Sequence, residues 1–442
     1  MGGETMRKVI VAIVVALALG AVACQVKPLP EIELAVLPSH EVQLFPVKGP
    51  IEFEFNRPAK PEERLVWFEP QVDGTMEWST DGKTVRMLPK EGLSYNTNYT
   101  LRGPSFAFSF TTEAIPVFTI VAGGDILLDK LPGENIALHG PSYVLAGMSE
   151  LLKTADIAFA NLESPASRRG EKITPKRFTF RSTPEALDAL VAASIDVVAF
   201  TNNHCFDYGV EAFLDTLEHL RERGVAYVGA GQNRQEAMSP HIQEINGVKV
   251  AFLAFTQKSF LPAWSYDLWE AQENKPGVIF LDGEKGRADV LTAVAEAQTH
   301  ADVVLVSLHW GYEGTLAPQA WQRKLAKEII DAGASAILGH HPHLPFGVEI
   351  YEGKPIIYSL GNYLFHPYDP EARESFVAHL QIDLLGEVHI KLYPILMDQG
   401  TVTLLEGEQA ERILGVITER SLYLGTDFVR KDGYLESKRT LK

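Results

Sequence analysis

From Val117 onward, short unbroken apolar runs rich in β-branched residues alternate with helical patterns, and that alternation leaves few folds open. Residues 117–122, 157–160, 197–201, 248–255, 303–308, 336–338 and 355–360 read as strands, and 210–223 and 319–332 as the clearest helices. Strands that are apolar on both faces need cover on both faces, so a largely parallel or mixed sheet with helices packed on it is expected. A last helix is expected over 409–424, and a charged, frayed tail over 429–442. No internal repeat or low-complexity tract interrupts the pattern.

Polar clusters fall where these strands end. Residues 117–122 run into Gly123-Gly-Asp125, 157–160 into Asn161-Leu-Glu163, and 197–201 into Asn202-Asn-His-Cys-Phe-Asp207. Residues 303–308 end in His309-Trp-Gly311, and 336–338 in Gly339-His-His-Pro-His343. In α/β sheets ligands bind at the carboxyl edge, so these clusters can face one crevice.

Asp125 and Glu163 supply anionic oxygens, Asn203 a carbonyl oxygen, and His309, His341 and His343 imidazole nitrogens. A mixed oxygen and nitrogen set without thiolates suits Mn, Fe or Zn rather than a structural zinc knot. Two such ions about 3.5–4 Å apart would grip an oxygen and acidify a water. In an extended loop His341 and His343 point one way and His340 the other, so the first pair is expected to ligate. Asp207 is read as a partner that orients His204. Taken singly, each cluster has a plainer explanation: Asp125 as a turn residue, "NNHCFDYG" as a helix cap, "HWGYE" as an aromatic patch. Cys205 is read as a small buried thiol, with a ligand or nucleophile as the alternative. The basic run Arg168, Arg169, Lys172, Lys176, Arg177, Arg181 either steers an anion to the cleft or is a solvated loop.

The residues before 116 have a different texture. Arg7 and Lys8 precede an apolar run over 9–19 and small residues up to Cys24. That describes an export signal over 1–24, since a spanning helix needs roughly 20 apolar residues. The segment resembles a lipoprotein signal, with Ala21 where Leu is usual, so lipidation of Cys24 is expected, with plain cleavage after Ala23 and secretion as the alternative. Cys205 is then the only other cysteine, and folding outside the cytoplasm relies on packing without an internal disulfide. A short tether occupies 25–30. Alternating runs at 51–55, 84–88, 99–101 and 106–110, split by Asp73-Gly74 and Asp81-Gly82, read as an antiparallel β-sandwich over 31–113. It resembles bacterial immunoglobulin-like domains and, lacking clustered His, Asp or Cys, is expected to act as a spacer. A net charge of −17 argues against a nucleic-acid partner.

Read together, "GGDILLD", "ANLESP", "FTNNHCFDYG", "GAGQNRQEA", "SLHWGYEG", "ILGHHPHLPFGVEIYEGKPIIYSLGNYLF" and "RILGVITERSLYLGTDF" occur in an order that resembles the CapA family of bacterial poly-γ-glutamate capsule synthesis, over residues 116–428. That family is similar to calcineurin-like metallophosphoesterases, which implies a four-layer α/β sandwich with a cleft for one or two divalent ions. Carried over by residue, the resemblance makes Asp125, Glu163, Asn203, His309, His341 and His343 metal ligands and His204 the general acid, and it matches Asn362 to a family position. Two departures stand out: Leu127 replaces a metal-binding His, and Asp129 stands where the family more often has a basic residue. The function implied is a surface-tethered hydrolase of phosphoester type in capsule handling, acting on an anionic polymer or phosphoester. Its rival is a non-enzymatic partner of polyglutamate or of a membrane polyglutamate synthase; a third reading is a peptidase cutting γ-glutamyl bonds.

Overall fold

The computed structural model describes residues 10–11, 44–45, 47–115, 117–258, 266–383 and 387–437. The expected export signal apart from Ile10–Val11, the expected lipidation site Cys24, the expected 25–30 tether and the start of the expected sandwich up to 43 lie outside them. The chain divides into two compact units, Met1–Ile115 and Pro116–Lys442.

In the first unit, Ile51–Glu54, Thr84–Pro89 and Gly74–Trp78 pair antiparallel, as do Trp67–Glu69, Asn98–Arg102 and Ala107–Thr112. Alternation puts Phe53, Val85, Leu101 and Phe110 into one core with Phe45 and Phe68. Phe45 and Phe110 approach to 4.3 Å between ring centroids.

Among the described residues the second unit has two large sheets and a two-stranded one, Ala230–Gly231 with Gly277–Val278. The larger runs, in spatial order, Ala226–Val228, Val197–Ala199, Ile157–Leu162, Val117–Ile126, Glu374–Asp383, Val388–Asp398, Tyr434–Ser437 and Phe428–Lys431. Its first four strands are parallel and the rest antiparallel. The smaller runs His241–Ile245, Val248–Thr256, Val303–His309, Ala336–His340, Lys354–Ile357, Val348–Tyr351, parallel except at its two edges.

Three apolar layers explain why the strands read as unbroken apolar runs. Ile120, Phe159 and Val197 of the larger sheet meet Val250, Phe252, Leu305 and Leu338 of the smaller. Val121, Ala158 and Val198, on the larger sheet's other face, pack under Leu187, Phe213 and Leu217. Val304, Val306 and Ile337 pack under Val290, Val294, Leu325 and Ile329. The layers are therefore helix, sheet, sheet, helix. Each fully buried side chain of this size contributes about 1.5–3 kcal/mol. The amphipathic helices Gly209–Glu222 and Ala320–Asp331 sit in the two outer layers.

Two details differ from expectation. Through Ser437 the tail is an antiparallel hairpin, because Tyr434–Ser437 adds to Val388–Asp398 and buries Leu435. The other difference is a bulge. Phe159 pairs with Ala122 but Asn161 with Asp125, so Gly123 and Gly124 crowd two positions opposite one. A Cβ on Gly124 would lie 1.9 Å from the Gly361 carbonyl oxygen, and one on Gly123 would lie 2.1 Å from the Tyr363 ring. Only glycine lets the backbone come this close to the Gly361–Tyr363 loop. Asp125 then donates its N–H to the Gly361 oxygen at 3.0 Å.

Gly124→Ala is expected to lower unfolding free energy by about 3 kcal/mol. Gly415→Ala, in the helix Gly407–Tyr423 where the new Cβ meets only Arg430 at 3.8 Å, should raise it by about 1 kcal/mol. Chemical denaturation of the two variants checks the contrast.

Candidate metal centre

The ends of four strands and the loop after Val197–Ala199 bring the expected ligands together. Val117–Ile126 delivers Asp125, and Ile157–Leu162 leads to Glu163. Val303–His309 ends in His309, and Ala336–His340 leads to His341 and His343. Asn203 and His204 lie on the loop that follows Val197–Ala199. Asp125, Glu163, His309 and His341 are fully or almost fully buried.

Glu163 is the centre of this arrangement. Nε2 of His309 and Nε2 of His343 each lie 3.8 Å from its Oε1, and Nε2 of His204 lies at 4.0 Å. These are too long for hydrogen bonds, and neither carboxylate oxygen of Glu163 finds a hydrogen-bond partner among the described residues. Two ligands each about 2.1 Å from one ion stand roughly 3–4 Å apart, the spacing seen here. Two groups of converging ligand atoms share this residue, Glu163–His309–His341 and Asp125–Glu163–His343. Asn203 Oδ1 joins the first, 2.8 Å from His309 Nε2, which is itself 3.1 Å from His341 Nδ1. The donor set and the orphaned carboxylate therefore fit divalent cations, with Glu163 placed to bridge.

Charge distribution agrees with this. Burial, with the negative charges of Asp125 and Glu313, pushes the Glu163 carboxyl well above the usual range. Burial and neighbouring histidines hold His309 and His341 well below the ordinary imidazole value, so both offer lone pairs at neutral pH. Burial alone would raise Asp125, but His340 and His343 outweigh it and keep the carboxyl low.

His340 corrects the expectation that it points away. The loop is not extended: φ is +97° at His341 and +60° at His343, so simple alternation fails after the strand ends. His340 is the strand's last residue and shares the inter-sheet face with Leu338. There its Nδ1 lies 3.3 Å from Asp125 Oδ1.

Three asparagines named in the sequence without a role act as partners of the site residues. Asn161 donates to Asp125 Oδ1 at 2.9 Å, and Asn202 donates to Asn161 Oδ1 at 3.2 Å and to the Leu162 carbonyl at 2.8 Å. Asn362 Oδ1 lies 2.8 Å from His343 Nδ1, and accepting a proton from it would leave Nε2 free to ligate. Asn161 and Asn202 belong to the clusters read at the strand ends, and Asn362 to the family match; those were the signals the sequence offered.

His204 Nδ1 is 2.6 Å from Asp207 Oδ2. Burial lowers His204, and Asp207 opposes it. Lys176 leaves the basic run and enters the site, contacting Asp207 Oδ1 and the Asn203 carbonyl, with Nζ 3.1 Å from His204 Nδ1. Arg168 and Arg169 instead pair with Glu185 and Asp215 on the surface. Cys205 is buried, donates to the Asn202 carbonyl at 3.0 Å, and has its thiol pushed up to about 12 by that burial, as fits an inert thiol. Leu127 belongs to the outer apolar core, and Asp129 does not replace a ligand: its carboxylate accepts from the N–H of Lys130 and of Arg181.

A family model described as bacterial capsule synthesis protein PGA_cap matches residues 119–367. PGA biosynthesis protein CapA of Bacillus subtilis (strain 168) is 31% identical over 280 residues, covering 63% of this chain and 71% of that protein. Capsule biosynthesis protein CapA of Bacillus anthracis is 29% identical over 327 residues, covering 72% and 77%. Among solved structures, a hypothetical protein from Thermus thermophilus aligns with a TM-score of 0.35 and 16% identity, over 65% of this chain and 98% of its own.

Because burial and neighbouring negative charge raise the Glu163 carboxyl and a bound cation would oppose that shift, Mn2+ uptake should release protons. Glu163→Gln should release fewer and bind weakly. Calorimetric titration in buffers of differing ionisation enthalpy reads both.

Proposed function

The chain belongs to the bacterial capsule synthesis family PGA_cap, and we propose that it is a divalent-metal-dependent hydrolase of phosphoester type acting in capsule or poly-γ-glutamate handling. The observation that carries this reading is the orphaned, fully buried Glu163 shared by two ligand groups, with the His204–Asp207 pair beside it. Asp125, Glu163, Asn203, His309, His341 and His343 would hold the ions. When bound, such ions acidify a water toward neutral pH and face the oxygen on which charge develops.

The chain's own groups supply the rest. His204 turns Nε2 toward Glu163 while Asp207 grips Nδ1, so a proton on Nε2 is presented to a leaving oxygen at the same centre. Asp207 steadies the charged ring that makes this delivery. Asn362 fixes the tautomer of His343, and Asn161 fixes the orientation of Asp125. The burial of the cluster excludes bulk water and strengthens each of these interactions.

The export signal adds a location. In this reading the mature chain sits outside the cytoplasm, tethered through lipid on Cys24, with the first unit as a spacer resembling an immunoglobulin-like domain. No helix among the described residues is long and apolar enough to cross a membrane.

Protein loaded with Mn2+ or Zn2+ should hydrolyse phosphoesters, and His204→Ala should lose about 10²–10⁴ of that rate with metal content unchanged. Equal rates for the two proteins would refute the acid, and absence of turnover on any ester, with polymer binding intact, would favour the non-enzymatic role. In cells, Cys24→Ser should abolish fatty-acid labelling and release the protein from the membrane fraction.

A further inference from the structure

A cavity of about 390 Å³ opens beside the ligand cluster, with His204 and His343 in its wall. The metal chemistry leaves most of that wall unused. The Phe180 ring lies 4.5 Å from the His204 ring and meets Phe365 edge-on at 5.9 Å. Phe365 in turn lies 4.9 Å from His343. Farther out, Phe178 and Tyr368 stand 5.6 Å apart, and the Arg177 guanidinium lies 4.8 Å from the Phe178 ring centre. Aromatic faces thus run from the two histidines to solvent, where Tyr368 is 79% exposed.

These faces are poorly suited to a bare phosphate or a chain of carboxylates, which gain nothing from apolar contact. They suit a ring with an apolar face, which buries area and stacks on them. Arg177 and Glu313 at the rim provide a donor and an acceptor for polar substituents on such a ring. His204 opens onto the same space, so the group it would protonate lodges there.

We infer that this cavity is the leaving-group subsite, and that it takes a ring-bearing alcohol, a sugar or an aromatic ring, esterified to the phosphate. The assignment to the leaving group rests on the phosphoester reading of the metal centre; the ring preference rests on the aromatic wall.

The test is equilibrium binding to the Mn2+-loaded mature chain, using methylphosphonate, phenylphosphonate and the methylene phosphonate analogue of glucose 1-phosphate. At least one ring compound should bind about tenfold tighter than methylphosphonate. Tyr368→Ala, at an exposed position that does not threaten folding, should remove most of that gain, as should Phe178→Ala; Tyr423→Ala, 73% exposed on the helix Gly407–Tyr423, should preserve it. A tighter glucose analogue assigns a sugar, and a tighter phenyl compound an aromatic ring. Equal affinity for all three, no binding of any, or a ring gain that survives both substitutions would overturn the inference. Since binding is read without turnover, a protein that prefers rings yet hydrolyses nothing would overturn the proposed hydrolase, and with it the assignment to a leaving group, and leave the ring preference of the cavity standing.

Discussion

A carboxylate buried without a hydrogen-bond donor either keeps its proton or faces a cation, and Glu163 is held in that position by the whole second unit. Three imidazole nitrogens surround its Oε1 at distances too long to bond it directly and suited to an intervening ion. Removing any one wall of this enclosure would leave the remaining groups repelling or unsatisfied. The cluster is therefore a demand on the fold as much as a product of it.

The fold meets that demand by bringing two sheets to a common carboxyl edge. The larger sheet carries Asp125 and leads to Glu163; the smaller carries His309 and His340 in register on adjacent strands. Parallel strands all release their loops at the same end, so residues far apart in sequence arrive together without long connections. The glycine bulge makes the final adjustment. It shifts Asp125 into register with both Asn161 and Asn362, and Asn362 is the residue that orients His343.

Much of this was legible in the sequence, for identifiable reasons. Unbroken apolar strands imply cover on both faces, and the layers show that cover; polar residues at strand ends imply a shared edge, and Asp125, Glu163, His309, His341 and His343 converge at one. That there are two sheets was not written in the strand pattern itself, because periodicity reports which faces are buried and not what buries them; the family resemblance supplied it. His340 was misplaced because alternation applies within a strand and ends with it, one residue before the loop adopts left-handed backbone at His341. Lys176 was hidden among basic neighbours, two of which, Arg168 and Arg169, pair on the surface; nothing local distinguishes the one that turns inward. The hairpin at 428–437 was concealed by its charges, since it buries few apolar residues, Phe428 and Leu435 among them.

Asp207 shows how chemistry and shape are tied together. One of its oxygens meets His204 Nδ1 at 2.6 Å and the Phe180 N–H at 2.7 Å, and the other meets Lys176. Its own backbone carbonyl accepts from Ile173 N–H at 2.9 Å. The segment that carries Phe178 and Phe180 is thus pinned by the same carboxylate that orients His204. A displacement of that segment cannot leave the histidine untouched, because a buried charge that loses one partner must recover it elsewhere or lose stability. The aromatic wall and His204 consequently hold their positions as one unit, so under the proposed reading a ring seated on the wall would present its oxygen to a histidine already turned toward Glu163.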